Sequence, residues 1–125
     1  MEFEKEVFIS RELHEECGVF AIYNNQDAAS LTYFGLHALQ HRGQEAAGIA
    51  SYDGEEIYAH KGKGLLTEVF NNETIAKLKG HHSIGHVRYS KADANQLENV
   101  QPIMVRSHAR SFAVAHNGQV VNNTE

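Results

Sequence analysis

Apolar and polar residues follow one another along the chain in blocks that predict both strands and helices. The clearest block is the continuous apolar run from Cys17 to Tyr23, which contains β-branched and aromatic residues and ends at Asn24-Asn25. Such a run is typical of a buried β-strand. Residues 1–16 instead mix charged and apolar residues without a committed period. They predict a mobile or weakly helical leader.

The next segments predict a helix followed by a hairpin. Asp27 is a candidate N-cap, and apolar residues then recur at roughly helical spacing as far as Arg42-Gly43; these are Leu31, Phe34, Leu36 and Leu39. Residues 46–52 predict a strand, Asp53-Gly54 a tight turn, and residues 55–60 the returning strand.

The second half predicts short elements between polar loops. In order, these are a loop over 61–64, a short helix over 73–78 that ends at Gly80, a strand over 82–89, a polar loop over 91–99, an extended piece over 103–105, a buried strand over 112–116 and the start of a helix over 119–123. This succession predicts an α+β fold with a largely antiparallel sheet. Because the chain stops at Glu125 inside an element, we expect it to be a fragment.

Composition narrows the class of protein. With 125 residues, 42% of them apolar, the chain can form one modest domain with a core. A net charge of −5 with scattered basic residues disfavours nucleic acid and anionic membranes as partners. The apolar runs are too short to span a bilayer, and the acidic N-terminus does not resemble a secretory signal. The single cysteine excludes an internal disulfide and fits a reducing cytosol, so we expect a soluble cytoplasmic protein.

Cys17 is the first candidate for chemistry, because it stands at the start of the predicted strand and behind the leader. A cysteine has an ordinary pKa of about 8.5, so a base must take its proton before it can attack. If the bond between Glu16 and Cys17 were cut, the new α-amino group, with a pKa of roughly 7.7–8.0, could be that base. Nucleophile and base would then belong to one residue. The alternative is a small buried residue at a strand edge.

Two further motifs could complete an acyl-transfer site. Asn117 offers an amide side chain next to the unhindered backbone N–H of Gly118, and two such donors can stabilise a tetrahedral intermediate. The alternative for this pair is a plain turn. Arg88, at the end of a predicted strand, can bind a carboxylate through two parallel hydrogen bonds, or it can form a surface salt bridge.

Other polar clusters are less specific. The segment around Arg42, residues 40–45, is either a solvated corner or a brace for the site. His81, His82 and His86 have no cysteine or carboxylate at a convincing ligand spacing, which disfavours a metal site. The Lys-Gly-Lys-Gly sequence at 61–64 lacks the second half of a phosphate-binding loop.

Together, six motifs resemble the N-terminal glutaminase half of the amidophosphoribosyltransferase family. They occur in family order from Cys17 onward and comprise Glu16-Cys17-Gly18-Val19-Phe20, residues 35–45 (GLHALQHRGQE), Lys61-Gly62-Lys63-Gly64-Leu65, Gly85-His86-Val87-Arg88-Tyr89-Ser90, Glu98-Asn99-Val100-Gln101-Pro102 and Ala115-His116-Asn117-Gly118. Each alone is unspecific, whereas six in register are highly specific. The related glucosamine-phosphate synthases and glutamate synthases share the Cys-Gly start and the His-Asn-Gly step, whereas residues 41–45 and 98–102 resemble the purine enzyme.

The resemblance implies an Ntn-hydrolase fold, a four-layer αββα sandwich of which this chain is the first part. It implies autocatalytic loss of residues 1–16, with residues 17–125 as the N-terminal portion of a class II glutamine amidotransferase domain. By the same resemblance, Cys17 is the nucleophile, Asn117 and Gly118 form the oxyanion hole, Arg88 holds the α-carboxylate of glutamine, and Arg42 lies in the site-bracing segment. The ammonia released would aminate phosphoribosyl pyrophosphate, the first step of purine biosynthesis.

The resemblance also indicates what lies outside this segment. It implies no cofactor here; Mg2+ is implied for a C-terminal transferase part, where a 4Fe–4S cluster is left open, and a homo-oligomer is implied for the full-length enzyme. The family usually has threonine where this chain has Lys91, which alters the predicted glutamine site. We expect the fragment alone to be inactive. The alternatives are another Ntn amidotransferase, such as a hexosamine-phosphate synthase, and a non-catalytic, unprocessed relative.

Overall fold

The computed structural model describes the backbone of residues 7–9, together with residues 17–40, 44–89 and 97–116. The strands are β1 (Val7–Ile9), β2 (Cys17–Ile22), β3 (Ala46–Tyr52), β4 (Ile57–Lys63), β5 (His82–Arg88), β6 (Ile103–Arg106) and β7 (Ser111–Val114). The helices are α1 (Ala28–Leu39), α2 (Leu66–Val69) and α3 (Asn72–Ala76), and a 3-10 turn spans Leu97–Asn99.

The strands form two antiparallel sheets. The larger has the order β1-β2-β5-β3-β4, and β6 pairs with β7 in the smaller one. The predicted α+β organisation with antiparallel pairing is therefore confirmed, as are β2, α1 and the hairpin around Asp53-Gly54. For residues 7–9, the prediction of a mobile or weakly helical leader is wrong, because they pair as a strand with residues 20–22 of β2; the rest of the predicted leader lies outside the described residues.

Helix α1 covers one face of the larger sheet. Leu36, Ile49 and Val87 are fully buried at this contact, and burial of such a side chain stabilises the fold by about 1.5–3 kcal/mol. The helix can approach closely because β5 has a glycine beneath it: a Cβ at Gly85 would lie 2.6 Å from Thr32 Cγ2. The Thr32 and Ser83 hydroxyls are hydrogen-bonded to each other, so the polar groups at this contact are satisfied.

Residues 97–116 lie over the opposite face of the larger sheet. A cavity of about 440 Å3 lies between the two sheets; residues such as Ala50 and Ile84 line it from below, while Ser111 and Ala113 line it from above. The described residues are thus layered as helix, sheet and sheet. None of the helices in these ranges is long and apolar enough to cross a membrane.

Two predictions from the sequence were wrong in detail. The loop expected over 61–64 is strand as far as Lys63, because Gly62 and Lys63 pair with the first residues of β3; the turn comes only at Gly64, where φ is 121°. The buried strand expected over 112–116 is a strand over Ser111–Val114, but Phe112 is 47% exposed. No described residues cover the outer face of the β6–β7 pair, on which Phe112 lies.

Candidate active site

The fold brings Cys17 and Arg88 together at one end of the larger sheet. They are direct partners in the pairing of β2 with β5, and the Cβ atoms of such partners are about 4.5–5.5 Å apart. Cys17 is half-buried. Two candidate residues from separate sequence motifs are therefore neighbours.

Cys17 and Arg88 also lie on the same face of the sheet. Gly18 faces α1, since a Cβ there would lie 3.2 Å from Leu39 Cβ and from Val87 Cγ2. Successive residues of a strand alternate between faces. Cys17 and Arg88 therefore lie on the face that residues 97–116 cover, away from the helix.

The same row of the sheet continues through Ala46 to Lys63. Ala46 is the partner of Arg88 in β3, and Lys63 is the partner of Ala46 in β4. Lys63 adds a second positive charge to this end of the sheet. The sequence pattern did not indicate Lys63, because the glycines at 62 and 64 predicted a loop; only the strand register shows its place.

The guanidinium of Arg88 retains hydrogen-bonding capacity. Nη1 donates a long hydrogen bond of 3.4 Å to the carbonyl oxygen of Asn99, and the buried Nε has no partner among the described residues. Arginine has five N–H donors in a fixed planar arrangement that matches a carboxylate. Arg88 therefore has the chemistry of a carboxylate ligand and lies beside Cys17; its binding of a substrate stays a prediction.

His86 lies two residues before Arg88 on the same face and is completely buried. Neither ring nitrogen has a hydrogen-bond partner within the described ranges. Burial, and then the positive charge of Arg88, lower the pKa of His86 from 6.5 to about 4. The backbone of His116 favours the protonated ring, but burial outweighs it, so the imidazole is neutral near pH 7.

Four residues that the sequence associates with the site lie outside the described residues: Asn117, Gly118, Arg42 and Lys91. His116, which precedes the predicted oxyanion pair, is described: its backbone N–H donates a 2.7 Å hydrogen bond to Oε1 of Gln101.

The polar segment after α1 contains a brace. Gln44 is buried; its Nε2 donates to the carbonyl oxygens of Ala46, at 3.0 Å, and Gly64, at 2.8 Å, and its Oε1 accepts from the Leu66 N–H. These bonds join the start of β3, the end of β4 and the start of α2. Gln44 is therefore not part of a solvated corner, and the role of the segment as a brace for the site stays a prediction.

The histidines do not form a metal site in the described part of the chain. No group of three or more histidine, cysteine, aspartate or glutamate side chains there could hold a metal ion. His82 instead stacks on Tyr23, with ring centroids 4.6 Å apart, and accepts a hydrogen bond from the Asn24 N–H.

No protein-family model matches the chain, whereas individual relatives do. The chain is 56% identical over 114 residues to amidophosphoribosyltransferase of Bacillus subtilis (strain 168), a match that covers 90% of this chain and 24% of that protein. It is 50% identical over 111 residues to amidophosphoribosyltransferase of Staphylococcus aureus (strain Mu50), covering 88% of the chain and 22% of the relative. The chain thus spans about a quarter of the length of these curated relatives.

Two solved structures are also similar. One is described as the allosteric regulatory enzyme of purine biosynthesis and has 55% identity and a TM-score of 0.78 over 85% of this chain and 23% of that one. The other is glutamine phosphoribosylpyrophosphate amidotransferase from B. subtilis complexed with ADP and GMP, with 54% identity, a TM-score of 0.76 and the same coverage. Over most of its length the chain is therefore similar to part of amidophosphoribosyltransferase, which confirms the resemblance indicated by its motifs.

Proposed function

We propose that this chain belongs to the glutaminase part of an amidophosphoribosyltransferase, which hydrolyses the side-chain amide of glutamine and supplies ammonia for the amination of phosphoribosyl pyrophosphate. The observation that carries the proposal is the direct pairing of Cys17 with Arg88 on one face of the sheet. Glutamine has a carboxylate at one end of a short aliphatic chain and an amide at the other, so neighbouring residues can hold one end and attack the other.

The proposed reaction proceeds through a thioester. The thiolate of Cys17 attacks the amide carbon, and the oxyanion receives hydrogen bonds from the Asn117 side chain and the Gly118 N–H. Collapse of this intermediate breaks the carbon–nitrogen bond and releases ammonia, with a proton returned by the base. Water then adds to the thioester and the carbon–sulfur bond breaks, which releases glutamate and regenerates the thiol of Cys17. Arg88 binds the α-carboxylate throughout.

In this proposal the base is the α-amino group of Cys17, freed by removal of residues 1–16. Arg42 would brace the site, and the strands would belong to an Ntn-hydrolase αββα sandwich. The helix–sheet–sheet order of the described layers supports this fold, as does the apolar row on the outer face of the smaller sheet, which a further layer would cover; its exposed members are Ile103, Val105, Phe112 and Val114.

Phosphoribosyl pyrophosphate, Mg2+ and oligomeric contacts belong, in this proposal, to the rest of the enzyme. A metal ion or an iron–sulfur cluster does not fit the described residues, among which no group of three suitable ligands occurs. No step described here depends on one.

Replacement of the nucleophile tests the proposal. We expect Cys17→Ala in the complete enzyme to reduce glutamine-dependent turnover by roughly a thousandfold or more, while turnover with added ammonia persists because the amination step does not use Cys17. Steady-state assays with each nitrogen source measure both activities. Undiminished glutamine use by Cys17→Ala would refute the proposal, and failure of a glutamine-analogue electrophile to label wild-type Cys17 would favour a non-catalytic relative.

A further inference from the structure

Residues 99–102, which we call the 99–102 segment, cross the face of the sheet that carries Cys17 and Arg88. Lys61 on β4 donates from Nζ to the carbonyl oxygens of Val100, at 2.7 Å, and Pro102, at 3.3 Å. Arg88 donates to the carbonyl oxygen of Asn99. Both charged side chains therefore bind the backbone of the segment, which fixes its position whatever its own side chains are.

The sheet is shaped to receive this segment. At Gly48 on β3, a Cβ would lie only 2.2 Å from the carbonyl oxygen of Gln101, so the strand has no side chain where the segment crosses. Val100 is completely buried. The segment is thus packed against the strands and is not a free surface loop.

Gln101 extends this fixed segment to His116. Its side chain is 7% exposed, and Oε1 accepts the 2.7 Å hydrogen bond from the His116 N–H. His116 also lies close enough to the buried His86 for its backbone to act on that ring. At one end, the 99–102 segment therefore contacts Arg88, which is predicted to bind the substrate carboxylate. Through Gln101 it also contacts His116, which precedes the predicted oxyanion pair.

We infer that Gln101 is a positioning residue for glutamine hydrolysis: by holding the His116 backbone, it sets where the two following residues meet the oxyanion formed at Cys17. This inference rests on the proposed function. Oxyanion donors must lie about 2.7–3.1 Å from the position that the oxygen occupies in the transition state. Because that charge is absent from the bound substrate, misplaced donors reduce kcat much more than they raise KM.

The test uses the complete, processed enzyme with Gln101→Leu, which removes the acceptor at similar volume, and Gln101→Glu, which keeps an oxygen in reach. We expect Gln101→Leu to lower kcat for glutamine hydrolysis by roughly 10- to 100-fold, with KM within about threefold of wild type and ammonia-dependent turnover unchanged. Gln101→Glu should recover most of kcat. Gln26→Leu, the same substitution at an exposed position before α1, is the matched control and should behave as wild type.

Two results would overturn the inference: full kcat in Gln101→Leu, or equal losses of glutamine- and ammonia-dependent turnover, which would indicate a role in folding only. If Gln101→Leu does not fold, Gln101→Asn, whose shorter amide cannot reach the same N–H, gives the same comparison. The proposed function is judged separately by Cys17→Ala. Loss of glutamine use in Cys17→Ala with normal kcat in Gln101→Leu would refute only the role of Gln101.

Discussion

His86 shows how one residue's surroundings determine its chemistry. It lies between Val19 and Gly48 in the sheet and is completely buried, with Arg88 two residues along the same strand. A charged imidazole there would lose its hydration and stand beside a guanidinium. The fold therefore favours the neutral ring, and the pKa of His86 falls to about 4.

This lowered pKa predicts a pH-dependent stability. Between pH 6.5 and about 4, His86 is protonated in the unfolded chain but neutral in the folded one, so the free energy of unfolding must decrease as the pH falls through this window. The full difference is on the order of 3 kcal/mol. Urea unfolding at several pH values measures it.

Two variants isolate this contribution from carboxylates that titrate in the same range. We expect His86→Gln to flatten the pH dependence between 6.5 and 4, whereas His81→Gln, at an exposed position outside the strand, should leave it unchanged. An identical slope in His86→Gln and wild type would contradict the assignment.

The sequence indicated which residue types form the site, but not which of them lie next to one another. Cysteine, arginine and an Asn-Gly step each indicate acyl-transfer chemistry, but only the register of β2 on β5 places Cys17 against Arg88. Gln101 carried no comparable signal beyond its position in a motif before the single proline of the chain. Its contact with His116 depends on how the 99–102 segment crosses the sheet.

At the scale of elements, glycines decide how closely α1 approaches the sheet. A Cβ at Gly85 would lie 2.6 Å from Thr32 Cγ2 and 2.7 Å from Leu36 Cδ1, both on the helix. These atoms belong to fully buried side chains, which have no free space to move into. The closeness of helix and sheet therefore depends on the missing side chain.

We expect Gly85→Ala to reduce the free energy of unfolding by about 1–3 kcal/mol, since an added methyl group in a packed core forces displacement of its neighbours. Gly62→Ala, also in a strand, is the matched control: its nearest contact would be Val69 Cγ1 at 3.3 Å, and its effect should stay within about 0.5 kcal/mol. Chemical unfolding at neutral pH measures both, and equal stability of the two variants would refute the packing argument.

The elements themselves were largely predictable, and the errors have physical causes. Local composition at residues 61–64, with two glycines, favours a loop, but pairing with β3 extends the strand to Lys63. The apolar pattern of Phe112 correctly indicated a strand and wrongly indicated burial, because burial depends on which layer lies above the β6–β7 pair. The spacing of apolar residues indicates whether a segment is a helix or a strand more directly than it indicates which layer packs against that segment.

At the scale of the whole molecule, the proposed chemistry requires removal of residues 1–16. While Glu16 remains attached, the nitrogen of Cys17 is an amide and cannot act as a base. Attack of the Cys17 thiol on the Glu16 carbonyl, transfer of the acyl group to sulfur and hydrolysis by water would free both the amine and the thiol. The same residue would thus perform its own activation.

Intact-mass spectrometry of the complete protein should show loss of residues 1–16 in the wild type, and Cys17→Ala should retain them because it lacks the attacking sulfur. Lys77→Ala, at an exposed position after α3, serves as a control and should be processed normally. A glutamine-active enzyme that still begins at Met1 would contradict this activation scheme.

The short strand β1 affects what would happen to residues 1–16 after such a cleavage. Its three residues pair with β2, the strand that begins with the nucleophile, and cutting a peptide bond at residue 16 does not itself separate paired strands. The excised segment would at first remain as a bound peptide, added to the edge of the sheet as strand ligands are in peptide-binding domains. Held by the three pairs of the described residues 7–9, it would be released in an equilibrium that dilution favours, so maturation would consist of a chemical cleavage followed by a dissociation.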